Sequence, residues 1–165
     1  LLGILNRKAL MHAMEKEFSR VKRYKHPTAI LFIDFDHFKA INDTHGHQFG
    51  DRVLQMATKT IRQTIREPDI LARYGGEELV VVLVECGCED ALKTAERIRR
   101  AIAGNVIQKR RTSTMAQVTV SIGVHFPNIE RQRPATAMRY ADKALYAAKK
   151  AGRNRVVVYG PGLSA

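Results

Sequence analysis

The chain reads as a single α/β sandwich, with one central, mostly antiparallel sheet of five strands and helices packed around it. Three observations lead there. Short apolar or β-branched runs alternate with longer segments whose apolar residues recur at helical spacing, the pattern of strands and helices packed in layers. The runs at 69–73 and 79–84 follow one another across a glycine pair, so the sheet contains a hairpin and is not wholly parallel. A length of 165 residues, 45% of them hydrophobic, supports one substantial core and falls short of two ordinary domains.

Asn6 caps a first helix over 6–25, with Leu10, Met14, Phe18 and Val21 on one face. Pro27 separates it from a strand over 28–34 whose run Ile30-Leu-Phe-Ile33 closes in Asp34-Phe-Asp36. Side chains alternate along a strand, so both aspartates fall on the same face. A short helix over 37–42 and a loop over 43–50 follow. His45 and His47, two residues apart and without a partner cluster, read as loop residues rather than metal ligands. Asp51 opens the next helix, where free amide groups favour a carboxylate, and Leu54, Ala57, Ile61 and Ile65 supply its buried stripe. The hairpin is expected to turn on Gly75-Gly76, using positive-φ conformations that glycine enters without steric cost. Ala91, Ala95, Ile98 and Ile102 define a helix over 88–106. Residues 105–116, polar, basic and aperiodic, are expected to form largely a mobile loop. Val118, Val120, Ile122 and Val124 alternate through a strand over 117–125. Pro134 begins the last helix, carrying Met138, Ala141, Leu145 and Ala148, and Gly152 stops it. A fifth strand over 155–159 leaves a tail over 161–165.

Lysine and arginine outnumber aspartate and glutamate by 28 to 16, a net charge of +12. Such an excess suits any polyanion, whether a nucleic acid, an anionic membrane or a nucleotide triphosphate. The cations are spread among amphipathic segments, with local groups only at Lys109-Arg-Arg111 and Lys149-Lys150. No groove-binding helix or basic arm is evident, so nucleic acid is not the expected partner. No run approaches the roughly 20 apolar residues of a membrane span, and the start Leu1-Leu-Gly-Ile-Leu5 lacks the basic segment and length of a signal peptide. The domain is expected to be cytoplasmic, whether or not the full-length protein is membrane-anchored. Cys86 and Cys88 read as two reduced thiols.

Two acidic sites stand out. Glu77 and Glu78 lie where the glycine turn runs into an apolar strand; adjacent carboxylates there repel and lose hydration, so a positive charge belongs beside them. Asp34, at the end of another strand, is the second site. Were the strands neighbours, Asp34 and Glu77 would converge on a hard divalent cation, for which oxygen ligands are suited.

Here the sequence becomes specific. Asp34-Phe-Asp-His-Phe-Lys39, Ile41-Asn-Asp-Thr-His-Gly-His47, Gly50-Asp51, Arg73-Tyr-Gly-Gly-Glu-Glu-Leu79, Val118-Thr-Val-Ser-Ile-Gly-Val124 and Ala141-Asp-Lys-Ala-Leu-Tyr146 with Gly152-Arg-Asn-Arg155 resemble, in order, the motifs of a GGDEF domain, the catalytic domain of diguanylate cyclases. The resemblance covers nearly the whole chain and implies a nucleotidyl-cyclase-like fold over 1–160. It implies a metal-dependent reaction in which two GTP join into cyclic di-GMP with release of two pyrophosphates, using two Mg²⁺ or Mn²⁺ per site to activate the 3′-hydroxyl and neutralise phosphate charge. It assigns Asp34, Glu77 and the carbonyl of Phe35 to the metal, with Glu77 also assisting deprotonation. Glu78 stands among three roles: metal, loop or nucleotide. Gly75 and Gly76 border the substrate. Asn42 and Asp51 match the guanine-binding positions, where a carboxylate accepts from a donor pair that adenine lacks. Lys39, Lys149 and Arg153 match triphosphate contacts; a spacing of four puts the last two on one helical face if the helix reaches that far.

One site holds one GTP, so the resemblance also implies catalysis by a two-fold homodimer. Arg66-Glu-Pro-Asp69 resembles the family's R-x-x-D inhibitory site for product, with Arg97 a second contact. Leu1-Leu-Gly-Ile-Leu-Asn-Arg7 resembles the second half of the family's opening signature, with Leu2 in its threonine position, which leads us to expect a missing upstream sensor or dimerising domain. Two departures touch the signature itself: Glu77 replaces aspartate with an equivalent ligand of longer reach, and Leu79 replaces phenylalanine beneath the loop. The competing expectation from another class is a catalytically silent domain that senses GTP or cyclic di-GMP.

Overall fold

The structure, a computed structural model, describes residues 2–108 and 115–160. Along the chain it forms β1 (Leu5–Asn6), α1 (Arg7–Tyr24), β2 (Thr28–Phe35), α2 (Phe38–His45), α3 (His47–Thr64), β3 (Ile70–Arg73), β4 (Glu78–Val84), α4 (Cys88–Ala103), β5 (Val106–Gln108), β6 (Met115–Gln117), β7 (Val120–His125), α5 (Pro134–Lys150) and β8 (Val156–Val158). The main sheet has the order β1-β3-β4-β2-β7-β8. Its interior pairings are antiparallel, and only the short edge strands β1 and β8 join in parallel.

Every residue of β2 is buried because helices cover both faces of the sheet. Ile30 and Phe32 pack with Leu10, Met14 and Phe18 of α1 and with Met138 and Leu145 of α5. Leu31 and Ile33 pack on the opposite side with Val53, Leu54 and Ile61 of α3 and Ile98 and Ile102 of α4. A strand covered on both sides has no polar face to alternate with, hence its continuous apolar run. At β7 the approach of α5 is so close that a Cβ on Gly123 would strike the Ala141 carbonyl and the Leu145 backbone.

The expected helices and principal strands are present, and Asn6 caps α1 by accepting from the Ala9 amide at 2.9 Å. Five details differ. The sheet has six strands because β1, too short to carry a periodic signal, pairs beside β3. Residues 43–50 are helical rather than a loop. Gly46 alone, at φ 85°, breaks α2 from α3, so Asp51 lies in the second turn of α3 and not at its start, while Ile65 follows its end. The strand expected over 117–125 is two, β6 and β7, interrupted where the Thr119 carbonyl accepts from the Asp36 amide at 2.9 Å. Within 105–116, β5 and β6 form a small antiparallel sheet; the rest of that expected loop, with Lys109-Arg-Arg111, and the tail over 161–165 lie outside the described residues. Finally, α5 stops at Lys150, with Gly152 at φ 111° and Arg153 at φ 62°, so Lys149 and Arg153 do not share a helical face. Among the described residues no helix is long and apolar enough to cross a membrane, and both cysteines are free.

Candidate active site

Three strands converge where β2 ends. The register sets Asp34 opposite Glu78 on β4 and Ser121 on β7. Directly paired residues share a face of the sheet, so it is Glu78, rather than Glu77, whose side chain emerges beside Asp34; Glu77 sits one residue earlier, in the connection from β3. The Asp34 carboxylate receives the Lys149 ammonium at 2.8 Å from the last turn of α5. Burial raises the Asp34 pKa; Lys149 opposes that shift, while Glu77 and Asp36 add to it. Glu78 is raised as well, first by burial and then by the charges of Asp34 and Asp142. Partly desolvated negative charge thus exceeds the positive charge supplied by Lys149, and a further cation would relieve it.

The hairpin is built differently from the expected two-residue glycine turn. Arg73 is the last residue of β3 paired, with Leu79, and residues 74–78 span the gap. Neither Gly75 nor Gly76 takes a positive φ. A Cβ on Gly75 would meet the end of the Glu78 side chain instead, so a larger residue there would have to displace that carboxylate. The tip is fastened by Arg73, whose Nε donates to the carbonyls of Gly75 at 3.2 Å and Gly76 at 3.0 Å and whose Nη2 donates to Gly76 at 2.6 Å. Tyr74 is gripped between Phe32, edge-on at 5.0 Å, and the Arg7 guanidinium, 4.5 Å above its ring. The sequence reading gave neither Arg73 nor Asp142 a role, although both stand inside its motifs; spacing alone carries no signal of a clasp on main-chain carbonyls.

Past Asp36 the chain turns through His37 into α2 and α3. Asn42, half-buried on α2, packs against Gly50 of α3, whose missing side chain leaves space for it. The Asn42 Oδ1 is screened from water and has no hydrogen-bond partner. Lys39, Asp51 and Arg153 are exposed. The structure therefore joins Asp34, Glu78 and Lys149 in direct reach, brings Glu77 into their electrostatic field, and leaves Asn42 with an unmet acceptor on the neighbouring helix pair.

The second predicted cluster lies at the far end of β4. A cavity of about 300 Å³ is lined by Arg66, Asp69 and Arg97 together with Thr64, Asp90 and Lys93. Asp69 is buried and already committed: it accepts from the amides of Arg66 at 2.8 Å and Val84 at 3.0 Å. Arg66 donates to the Val84 carbonyl, and Arg97 to the Thr64 carbonyl at 2.7 Å.

A family model described as the diguanylate cyclase GGDEF domain matches residues 1–155. The chain belongs to the GGDEF domain family. This GGDEF domain is 38% identical over 157 residues to the response regulator PleD of Caulobacter vibrioides, covering 95% of this chain and 35% of that protein's length. It superposes with a TM-score of 0.90 on the GGDEF domain of DgcB from Caulobacter crescentus in complex with c-di-GMP, at 32% identity over 94% of this chain and 89% of that one. It also matches the active GGEEF domain of a diguanylate cyclase from Vibrio cholerae, with a TM-score of 0.87 and 34% identity over 95% of this chain and 98% of that one. The helix-covered central sheet is that of GGDEF structures.

Proposed function

We propose that this GGDEF domain is a diguanylate cyclase that condenses two GTP into cyclic di-GMP, releasing two pyrophosphates. The observation that carries the reading is the acidic pair Asp34 and Glu78, set side by side across β2 and β4 with Lys149 on Asp34, in a chain similar throughout to diguanylate cyclase domains. Each step sends the 3′-hydroxyl of one nucleotide to the α-phosphorus of the other, and no single copy holds both nucleotides. Two domains therefore pair about a two-fold axis. The chain spans about a third of the length of PleD.

Asp34, Glu77 and the Phe35 carbonyl, joined by Glu78, form the oxygen set for Mg²⁺ or Mn²⁺. Among the described residues no three acidic, histidine or cysteine side chains are gathered tightly enough to hold an ion by themselves. Magnesium does not require that, since it takes one or two carboxylates and completes its shell with water and substrate phosphates. When bound, such ions would acidify the attacking hydroxyl and offset charge on the phosphates. Lys149 exchanges Asp34 for phosphate oxygens as the triphosphate enters, assisted by Lys39 and Arg153. Glu78, which lies beside Asp34 on the same face of the sheet and whose pKa is raised by burial, joins Glu77 as an acceptor for the hydroxyl proton. On α2 and α3, the unpartnered Asn42 Oδ1 meets a guanine donor and Asp51 selects the guanine edge; adenine would leave both acceptors unmet. Cyclic di-GMP binds back at Arg66, Asp69 and Arg97.

Asp34→Asn and Glu77→Gln should each lower GTP turnover by about 100-fold or more, with the circular dichroism of a folded domain retained. Turnover near the parental rate in either variant would defeat the metal assignment.

A further inference from the structure

The second aspartate of the Asp34-Phe-Asp36 run has no part in the chemistry above, yet it is 4% exposed and its carboxylate meets three donors. Oδ1 accepts from the Ser121 hydroxyl at 2.7 Å, and Oδ2 from the Thr119 hydroxyl at 2.6 Å and the Asn154 amide at 3.0 Å. The first two fasten Asp36 to β7 and the turn before it. The third belongs to the 151–155 connection between α5 and β8, which carries Arg153. That connection is unusual: Arg153 at φ 62° and Asn154 at φ 45° are left-handed in succession, a conformation uncommon for arginine, easier for asparagine, and here reinforced by the surroundings.

The surroundings act from two sides. Asp36 grips the Asn154 amide, and an ionised carboxylate is a stronger acceptor than a neutral oxygen. From α4, Arg99 donates through Nη1 to the Asn154 Oδ1 at 2.6 Å. Its remaining nitrogens are fixed on Glu96, Nε at 2.8 Å and Nη2 at 2.6 Å, so the guanidinium is oriented before it reaches the loop. The Arg153 amide in turn bonds the Ala148 carbonyl at 3.0 Å, seating the left-handed pair against the turn of α5 that bears Lys149.

We infer that Asp36 and Arg99 are positioning residues for triphosphate binding: together they hold the 151–155 turn in the conformation that seats the Arg153 backbone against the end of α5 that bears Lys149. This rests on the reading of Arg153 as a phosphate contact. A merely structural Asp36 would seal the seam between β2 and β7, and its loss would lower stability without changing what the folded molecules bind.

The test is calorimetric titration of the whole chain, with Mg²⁺, using a GTP analogue whose α–β bridging oxygen is a methylene. Arg153→Ala should weaken binding by about tenfold, the loss of one charge-assisted contact. Asp36→Ala should weaken it similarly, and the double variant should be no weaker than Arg153→Ala alone, since both changes remove the same contact. Arg99→Met should reproduce part of the loss from the other side of the loop. Asp36→Asn keeps the volume and one acceptor oxygen; it should fall between parent and Asp36→Ala, and it carries the test if the alanine variant does not fold. Parental affinity in Asp36→Asn and Arg99→Met, or losses that multiply in the double variant, would overturn the inference while leaving the phosphate reading intact. Parental affinity in Arg153→Ala would overturn both.

Discussion

Asp34 and Glu96 are both carboxylates beside cations, and their surroundings push them in opposite directions. For Asp34, desolvation outweighs Lys149 and the pKa rises. For Glu96, half-open to water, the hydrogen bonds from Arg99 and then Arg100 prevail and pull it from 4.5 to about 2. The linkage signs follow. A lowered carboxylate stabilises the fold above its ordinary pKa and loses that contribution as pH falls toward the folded value. Glu96→Gln should therefore be less stable than the parent at neutral pH in urea titrations, with the gap closing between about pH 4.5 and pH 2; a gap unchanged across that range would contradict the Arg99 and Arg100 clasp. Asp34 behaves inversely, its burial costing stability as pH rises through its raised pKa. That Asp34 and the Glu77-Glu78 pair would lie near one another was legible from sequence, because acids at apolar strand ends need an explanation; that Glu78 rather than Glu77 is set beside Asp34 was not. The grip of Asp36 on Asn154 was not, since its donor lies 118 residues away and no local spacing encodes it.

Among the elements, strands and helices were legible and their joints were not. Ile30 to Ile33 and the stripe of Leu54, Ala57 and Ile61 carry their period within a few residues. Gly46 separates two helices that the polar run over 43–50 disguised as a loop. Gly75 leaves space for the Glu78 carboxylate, whereas its sequence context suggested a turn dihedral. Gly123 is the stricter case: on sequence it is one more strand residue, but the backbone of α5 lies directly over it. Backbone atoms cannot rotate away as a side chain can, so Gly123→Ala should cost about 1–3 kcal/mol or more, read as a fall in the urea midpoint. A variant as stable as the parent would mean that α5 does not seat on β7 as described.

At the scale of the molecule, the two predicted sites sit at opposite ends of β4, Glu78 at one end and the Val84 partner of Asp69 at the other. Six residue steps at about 3.4 Å each separate them by about 20 Å, so a product held at Arg66 does not overlap the substrate. Asp69 also supports the hairpin through the Val84 amide, which makes Arg66→Ala the cleaner probe of inhibition. In that variant product inhibition should be relieved with little change in initial rate; inhibition at the same product concentration would remove the regulatory assignment. The family was legible because its motifs recur in order along the chain, while the orientation of two copies is a property of neither sequence run nor single domain. The fate of GTP is the most direct test of the cyclase reading. With the chain fused to a dimerising segment and supplied with GTP and Mg²⁺, mass analysis should find cyclic di-GMP and two pyrophosphates for each product formed. GTP recovered intact, or cleaved only to GDP and phosphate, would contradict it.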